Sequence, residues 1–293
     1  MPTHKTLAEV ELLAGELRQH FVAPMELPEP STRLGLSERA GQPVRQFKHL
    51  HQMCLGHVEN LALSSQIKLL ALLDGYIDCA TKGATLGLYL FARTIVEQCA
   101  FANEVRRRLL EVSNKPAGNW MPKGEEFFGL AVRFRFATGN KELQKQLEAL
   151  GFPQKLLKPV NVMNCVASLL ANPSTAELAP FYDKLCDFVH HNGPSHYTAS
   201  SGYFVGSAAV HHSSGGAVLT KTPGPISRYE YPAANKAQTA LDDTVQGVSL
   251  AARECLKLTS ETPRSPFPTS QIKEMTGNEL GMVFVGNARS MST

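Results

Sequence analysis

The feature that most constrains the fold is a long apolar helix in the first half of the chain. Residues 84–112, ATLGLYLFARTIVEQCAFANEVRRRLLEV, carry apolar side chains on nearly every side over their first half. A helix that is apolar all round is buried, so this segment predicts the central helix of a packed domain. Its second half carries Arg106, Arg107 and Arg108, which predicts that the helix ends in water, with cations near the negative end of its dipole.

Apolar residues recur at helical spacing over most of the remaining chain. Val10, Leu13 and Leu17, for example, share one face of the first segment. Gly56 and Gly75 are candidate breaks within the second. We therefore expect a mainly α protein, folded as an antiparallel helical bundle. Besides residues 84–112, the spacing predicts helices over residues 5–21, 44–81, 125–137, 140–150, 159–170, 176–191 and 232–258.

The composition changes between these helical segments. Residues 201–222 alternate small, aromatic and β-branched residues around a Ser-Ser-Gly-Gly sequence, which predicts a small β-hairpin inserted in the bundle. A segment rich in Pro, Gly and Ser precedes the second helix, and a segment rich in Pro, Ser and Thr follows the last one. The predicted organisation is an N-terminal helix and linker over residues 1–43, one bundle domain over 44–258, and an extended C-terminal tail over 259–293, whose GMVFVGN segment could add a short strand.

The charge, the cysteines and the lack of a long apolar stretch limit which partners and which location the sequence predicts. Charged residues make up 19% of the 293 residues, below the usual quarter, which indicates a surface partly covered by a partner or by another copy of the chain. The net charge of +3 does not demand a nucleic acid. No cysteines are paired as CxxC, the first residues do not resemble a signal peptide, and no apolar stretch is long enough to span a bilayer. We expect a cytoplasmic protein without a membrane partner.

Two charges lie inside the apolar half of the central helix. Arg93 and Glu97 are four residues apart and therefore share a helix face. Burying either charge alone is costly, so we expect them to pair with each other or with a third group. One interpretation is a buried ion pair that fixes the helix register. The other is an arginine positioned for an anion and held by Glu97.

Polar chemistry is densest where the predicted helix 176–191 ends, in the sequence FVHHNGPSHY. His190 and His191 fall in its last turn, and on that helix Tyr182 and Cys186 share a face with His190. These histidines, with His196 and the later His211 and His212, could act as general acid and base, bind a metal, or form a solvated cap. No GxSxG, P-loop or GxGxxG sequence occurs, and we expect no cofactor.

A second set of cations is a candidate nucleic-acid surface. Besides Arg106, Arg107 and Arg108, the sequence places Arg133 and Arg135 between phenylalanines in AVRFRFA. Aromatic side chains beside arginines can stack on single-stranded bases, which makes these five arginines candidate RNA contacts. The alternative is that they are side chains on a helix rim that reach out to water.

Two sequence segments together resemble a known group of bacterial helical proteins. LFARTIVEQ, residues 90–98, resembles their Arg-Thr/Ser-x-x-Glu helix, and FYDKLCDFVHHN, residues 181–192, resembles the Tyr-x-x-Leu-Ser/Cys-x-x-Val-His element that follows it. The fold of these proteins is similar to the HEPN class of helical bundles, and the resemblance covers about a third of the chain. It implies a homodimeric bundle in a toxin or phage-defence setting, and a metal-independent ribonuclease where the protein is an enzyme.

The sequence departs from the HEPN pattern at the catalytic helix. HEPN ribonucleases carry an arginine four to six residues from a histidine on one helix, whereas Lys184 stands six residues before His190 here. The only strict match is Arg45 with His51, on another predicted helix. The resemblance then implies a substitute site in which His190 is the general acid and base, Arg93 binds phosphate and Glu97 orients Arg93.

Two other functions stay open at this level. One is a non-catalytic, oligomeric interaction module in which Arg93, Glu97 and His190 only hold the core together. The other is a metal-dependent hydrolase built on the histidine cluster. The sequence does not decide whether the protein is an enzyme.

Overall fold

The computed structural model describes residues 3–21, 43–116, 119–149, 151–189, 208–213, 216–221 and 234–276. This part of the chain is mainly α-helical, as the spacing of its apolar residues predicts. Short 3₁₀ turns occupy Gln154–Leu156 and Pro173–Thr175. The helices, numbered in chain order, are α1 Thr3–His20, α2 Pro43–Lys82, α3 Thr85–Ser113, α4 Trp120–Phe136, α5 Lys141–Ala149, α6 Val162–Leu170, α7 Leu178–Val189, α8 Ala234–Glu261 and α9 Thr269–Thr276.

Two short strands, β1 Ala208–Ser213 and β2 Gly216–Lys221, form a two-stranded antiparallel sheet. Its register places Ala208 opposite Lys221 and Ser213 opposite Gly216. The other residues between 201 and 222 lie outside the described residues, as does the GMVFVGN segment.

The chain divides into two compact units that alternate along the sequence. The first unit takes its described residues from Met1–Val22, Ile67–Ala100 and Val166–Cys255. The second takes its described residues from Ala23–Gln66, Phe101–Cys165 and Leu256–Thr293. This division differs from the predicted single domain over residues 44–258, because α2, α3 and α8 each contribute residues to both units. Composition along the chain does not show where one continuous helix changes its packing partners.

The connection between α2 and α3 is a tight turn at Gly83. Gly83 has a φ of 68°, a left-handed conformation that glycine adopts without steric cost. The amide of Ala84 donates to the carbonyl of Cys79 at 2.8 Å, and the amide of Gly83 donates to that of Ala80 at 3.4 Å, the pattern of a Schellman cap. By contrast α2 runs unbroken through Gly56 and Gly75. A Cβ at Gly75 would collide with the Phe91 ring, so this glycine permits close packing and is not a helix break.

The core of the first unit is built largely on α3. Six α3 residues of this unit are completely buried, as expected for a central helix: Leu88, Ala92, Ile95, Val96, Cys99 and Ala100. The predicted stripe on α1 is buried as well, with Val10, Leu13 and Leu17 at 8% exposure or less.

The core of the second unit surrounds α4. Phe127, Ala131 and Val132 are completely buried there. Helix α4 begins five residues earlier than the predicted start at residue 125, because the Asn119 side chain caps it by accepting a hydrogen bond from the Met121 amide at 3.2 Å. Pro122 falls in the first turn, where no intrahelical donor is lost.

The predicted extended tail over residues 259–293 is wrong for its first part. Helix α8 continues to Glu261, and Thr269–Thr276 forms α9. Phe267 is 5% exposed, and its ring centre lies 4.6 Å from that of Phe47. Burial of this one aromatic side chain fixes a segment whose Pro, Ser and Thr content favours an extended chain.

Candidate functional site

Arg93 and Glu97 pair across one turn of α3 in the first unit. Arg93 Nε donates a hydrogen bond to Glu97 Oε1 at 2.9 Å. The hydroxyl of Tyr182, on α7, donates to the same carboxylate oxygen at 3.1 Å. The guanidinium carbon of Arg93 lies 5.9 Å from the centre of the Tyr182 ring. We name these three residues the Arg93 cluster.

The protonation states of the Arg93 cluster follow from its surroundings. Burial, together with the charge of Glu97, raises the pKa of Tyr182 to about 12, and Arg93 opposes the rise. The phenol therefore keeps its proton at neutral pH and donates a hydrogen bond to Glu97. Burial alone would lower the pKa of Arg93, but its hydrogen bond to Glu97 and the charge of that carboxylate raise it. Arg93 thus stays protonated in its pair with Glu97, and a guanidinium suits anion recognition better than proton transfer.

The Arg93 cluster is only partly covered. The side chains of Arg93 and Glu97 are 17% and 23% exposed. A charge at such a position is less screened by water than one on an open surface, so its interaction with an anion is stronger. The cluster is therefore neither a sealed core pair nor a fully solvated one.

A second set of contacts positions α7 beside α3. The Tyr89 hydroxyl donates to Asp243 Oδ2 at 3.1 Å, and Lys184 Nζ pairs with Asp243 Oδ1 at 2.8 Å. The Tyr89 and Phe188 rings stack with centres 4.1 Å apart. Tyr182 contacts Glu97 whereas Phe188 contacts Tyr89, so the two helices run in opposite directions here.

Sequence reasoning missed most of this second set. Tyr89, Arg93 and Glu97 stand at i, i+4 and i+8, so the sequence could have shown that Tyr89 shares a helix face with the predicted pair. Nothing in the sequence pointed to Asp243 as the partner of Tyr89, because 154 residues separate them.

The predicted general acid and base, His190, lies outside the described residues. Helix α7 is described as far as Val189, and Tyr182 and Cys186 are on it. Lys184, which stands six residues before His190, pairs with Asp243.

Three of the five candidate nucleic-acid arginines form ion pairs with glutamates of their own unit. Arg106 pairs with Glu261 at 3.1 Å. Arg107 and Arg108 both pair with Glu104 at 2.8 Å, and both also reach Glu111. The carboxylates neutralise much of the positive charge of this turn. Glu104 stands four residues before Arg108, so this pairing could have been predicted from sequence.

The other two candidate arginines lie on the last turn of α4 and differ from each other. Arg135 Nη1 lies 3.4 Å from His57 Nδ1, and its guanidinium stacks 4.7 Å from the centre of the Phe136 ring. Arg133 has no carboxylate of a described residue within ion-pair distance, and its buried Nε has no hydrogen-bond acceptor among the described atoms.

The strict HEPN-type match, Arg45 with His51, does not form one site on α2. Arg45 is exposed, whereas His51 is 6% exposed. The Nδ1 atom of His51 lies 2.9 Å from Ser265 Oγ. Burial lowers the pKa of His51 from its ordinary value of 6.5. Ser265 was not foreseen, because 214 residues separate it from His51.

The histidines of the metal hypothesis are not among the side chains that the structure describes. Within the described ranges, no group of three or more His, Cys, Asp or Glu side chains is arranged to hold a metal ion. Burial raises the pKa of the Cys54, Cys79, Cys99 and Cys165 thiols. These four cysteines therefore lack the lowered pKa of a catalytic thiolate.

No family model matches the chain, and no curated protein and no solved structure matches it. The resemblance to the HEPN class therefore stays a prediction. None of the helices in the described ranges has the length and apolar character needed to cross a bilayer.

Proposed function

We propose that the chain is a HEPN-like helical protein that binds or cleaves RNA or a nucleotide through a phosphate held by Arg93. The observation that carries the proposal is the Arg93 cluster: a permanent cation, oriented by Glu97, partly covered and partly accessible. Arg side chains bind phosphate well because their planar donors match the phosphate oxygens. In this proposal the helices form an antiparallel bundle that carries residues 201–222 as an inserted hairpin, and the protein is a cytoplasmic homodimer.

In the catalytic form of the proposal, His190 acts as general acid and base. It takes the proton of the RNA 2′-hydroxyl as that oxygen attacks the phosphorus, and a proton is delivered to the departing 5′-oxygen. The products are a 2′,3′-cyclic phosphate and a 5′-hydroxyl. Arg93 stabilises the charge that develops on the phosphoryl oxygens, so the step needs no metal. A setting in toxin or phage defence belongs to this proposal.

The test is cleavage of a labelled RNA by the full chain in the presence of EDTA. The proposal expects cleavage that survives EDTA and is lost in His190→Ala and in Arg93→Ala. Arg253→Ala is the matched control, because Arg253 pairs on the exposed surface of the same unit with Glu9. Cleavage that persists in a folded His190→Ala protein would exclude His190 as the acid and base.

An oligomeric interaction module without catalysis is the second candidate. Two observations favour it: Arg106, Arg107 and Arg108 are neutralised by glutamates, and Leu12 and Ile67 are 62% and 50% exposed. This candidate expects no turnover of RNA and a mass that rises with concentration in light scattering. A monomer at all concentrations would contradict it.

A further inference from the structure

A groove on the second unit has walls suited to an apolar molecule. It lies along α4, opposite the segment after α5, and its volume is about 790 Å³. Small-molecule sites in proteins are mostly apolar clefts of about 300–1,000 Å³. Its apolar lining includes Phe128, Leu130, Val132, Phe152 and Leu156.

The charges around the groove are unevenly distributed. Arg133 and Lys155 line it, and within the described ranges neither of them pairs with a carboxylate. Glu125 and Glu126 line it as well, but Glu126 is engaged by Lys115. Residues 125 and 133 are eight apart on one helix, which is about 12 Å along its axis. The groove therefore has a cationic end around Arg133, separated from the acidic end by apolar walls.

We propose that this groove binds a small amphipathic carboxylate. The carboxylate pairs with the guanidinium of Arg133, and the apolar body lies along Leu130, Phe152 and Leu156. Among the described residues no carboxylate pairs with Arg133, whereas Arg106, Arg107 and Arg108 of the same unit are each paired with glutamates. This site is distinct from the Arg93 cluster and does not depend on RNA binding there.

Gly129 offers a way to close the groove without disturbing the core. A Cβ added at Gly129 would meet only Leu156 Cδ2, at 3.6 Å, which is an ordinary contact. Gly129→Ala is therefore tolerated and also raises the helix propensity of α4. In Gly129→Leu the longer side chain projects into the space that the apolar body would occupy.

The test is calorimetric titration of the full chain with decanoate, with 1-decanol as the neutral probe and adenosine 5′-monophosphate as the nucleotide probe. The proposal expects saturable decanoate binding that is tighter than decanol binding. It expects Arg133→Gln to weaken decanoate binding by about tenfold or more, since a hydrogen bond to a charged group is lost. Lys141→Gln, which removes an exposed α5 cation that does not line the groove, leaves binding unchanged.

The proposal expects Gly129→Leu to abolish decanoate binding and Gly129→Ala to retain it. The melting temperature of each variant establishes that it is folded. Three results would overturn the proposal: decanol that binds as tightly as decanoate, adenosine monophosphate that binds more tightly than decanoate and is weakened by Arg133→Gln, or an Arg133→Gln protein with undiminished affinity for decanoate. Adenosine monophosphate binding that survives Arg133→Gln and is lost in Arg93→Ala belongs to the Arg93 cluster, so the two proposals fail separately.

Discussion

At the scale of single residues, the sequence predicts the ion pair of the Arg93 cluster but not the contact that Tyr182 makes with it. The spacing of Arg93 and Glu97 predicts their pairing, because four residues on a helix bring two side chains onto one face. Tyr182 was placed on the face of its own helix but not against Glu97. A contact between two helices depends on their relative position, which side-chain periodicity does not encode.

Removing the Tyr182 hydroxyl tests how firmly the cluster is held. Tyr182→Phe should lower the free energy of unfolding by about 1 kcal/mol, because Glu97 loses a hydrogen bond in a partly buried place. Urea denaturation measures the change. In a double-mutant cycle with Glu97→Ala the two losses should not add, since both remove the same contact. Strict additivity would mean that Tyr182 and Glu97 do not interact.

His51 predicts a pH dependence of stability. Its pKa is lowered in the folded protein by burial, so the unfolded chain binds a proton more readily near the ordinary value of 6.5. The stability that His51 contributes is complete above that value and is lost as the pH falls below it. We expect His51→Asn, which retains an acceptor for Ser265, to show a smaller drop in melting temperature between about pH 7.5 and about pH 5.5 than the parent. An equal drop would locate the titrating group elsewhere.

At the scale of elements, helices were predictable where their apolar faces are regular. α1, α3 and α7 occur within a few residues of the predicted segments, because their cores follow local periodicity. The start of α4 was missed because its cap, Asn119, precedes a proline and a glycine that favour a loop. The helix α9 was missed because the sequence around it is rich in Pro, Ser and Thr, although Phe267 anchors it.

The anchoring role of Phe267 is measurable. Phe267→Ala should destabilise the protein by about 3–5 kcal/mol, the usual cost of removing a buried phenylalanine ring. Lys273→Ala, at an exposed position on α9, should change stability by less than about 0.5 kcal/mol. If both variants unfold at the same denaturant concentration as the parent, residues after 261 do not pack as described.

At the scale of the whole molecule, the helical class followed from the sequence but the division into units did not. One helix such as α2 serves both units, and the residues of each unit come from three separate stretches of the chain. Long-range pairs show the same limit, since Glu9 contacts Ser249 and Arg253 across the chain. Local patterns determine which residues form helices, whereas the choice of packing partner depends on the complete fold.

The central claim is that Arg93 binds the phosphate of a nucleic acid or nucleotide, and the most direct measurement is the affinity for a short fluorescent RNA by anisotropy. We predict saturable binding that weakens about tenfold or more in Arg93→Ala, because a charge-assisted contact is lost. Arg253→Ala should bind as the parent does, since its side chain pairs with Glu9 and is not part of the Arg93 cluster. An Arg93→Ala protein that is folded and binds the RNA with unchanged affinity would contradict the claim.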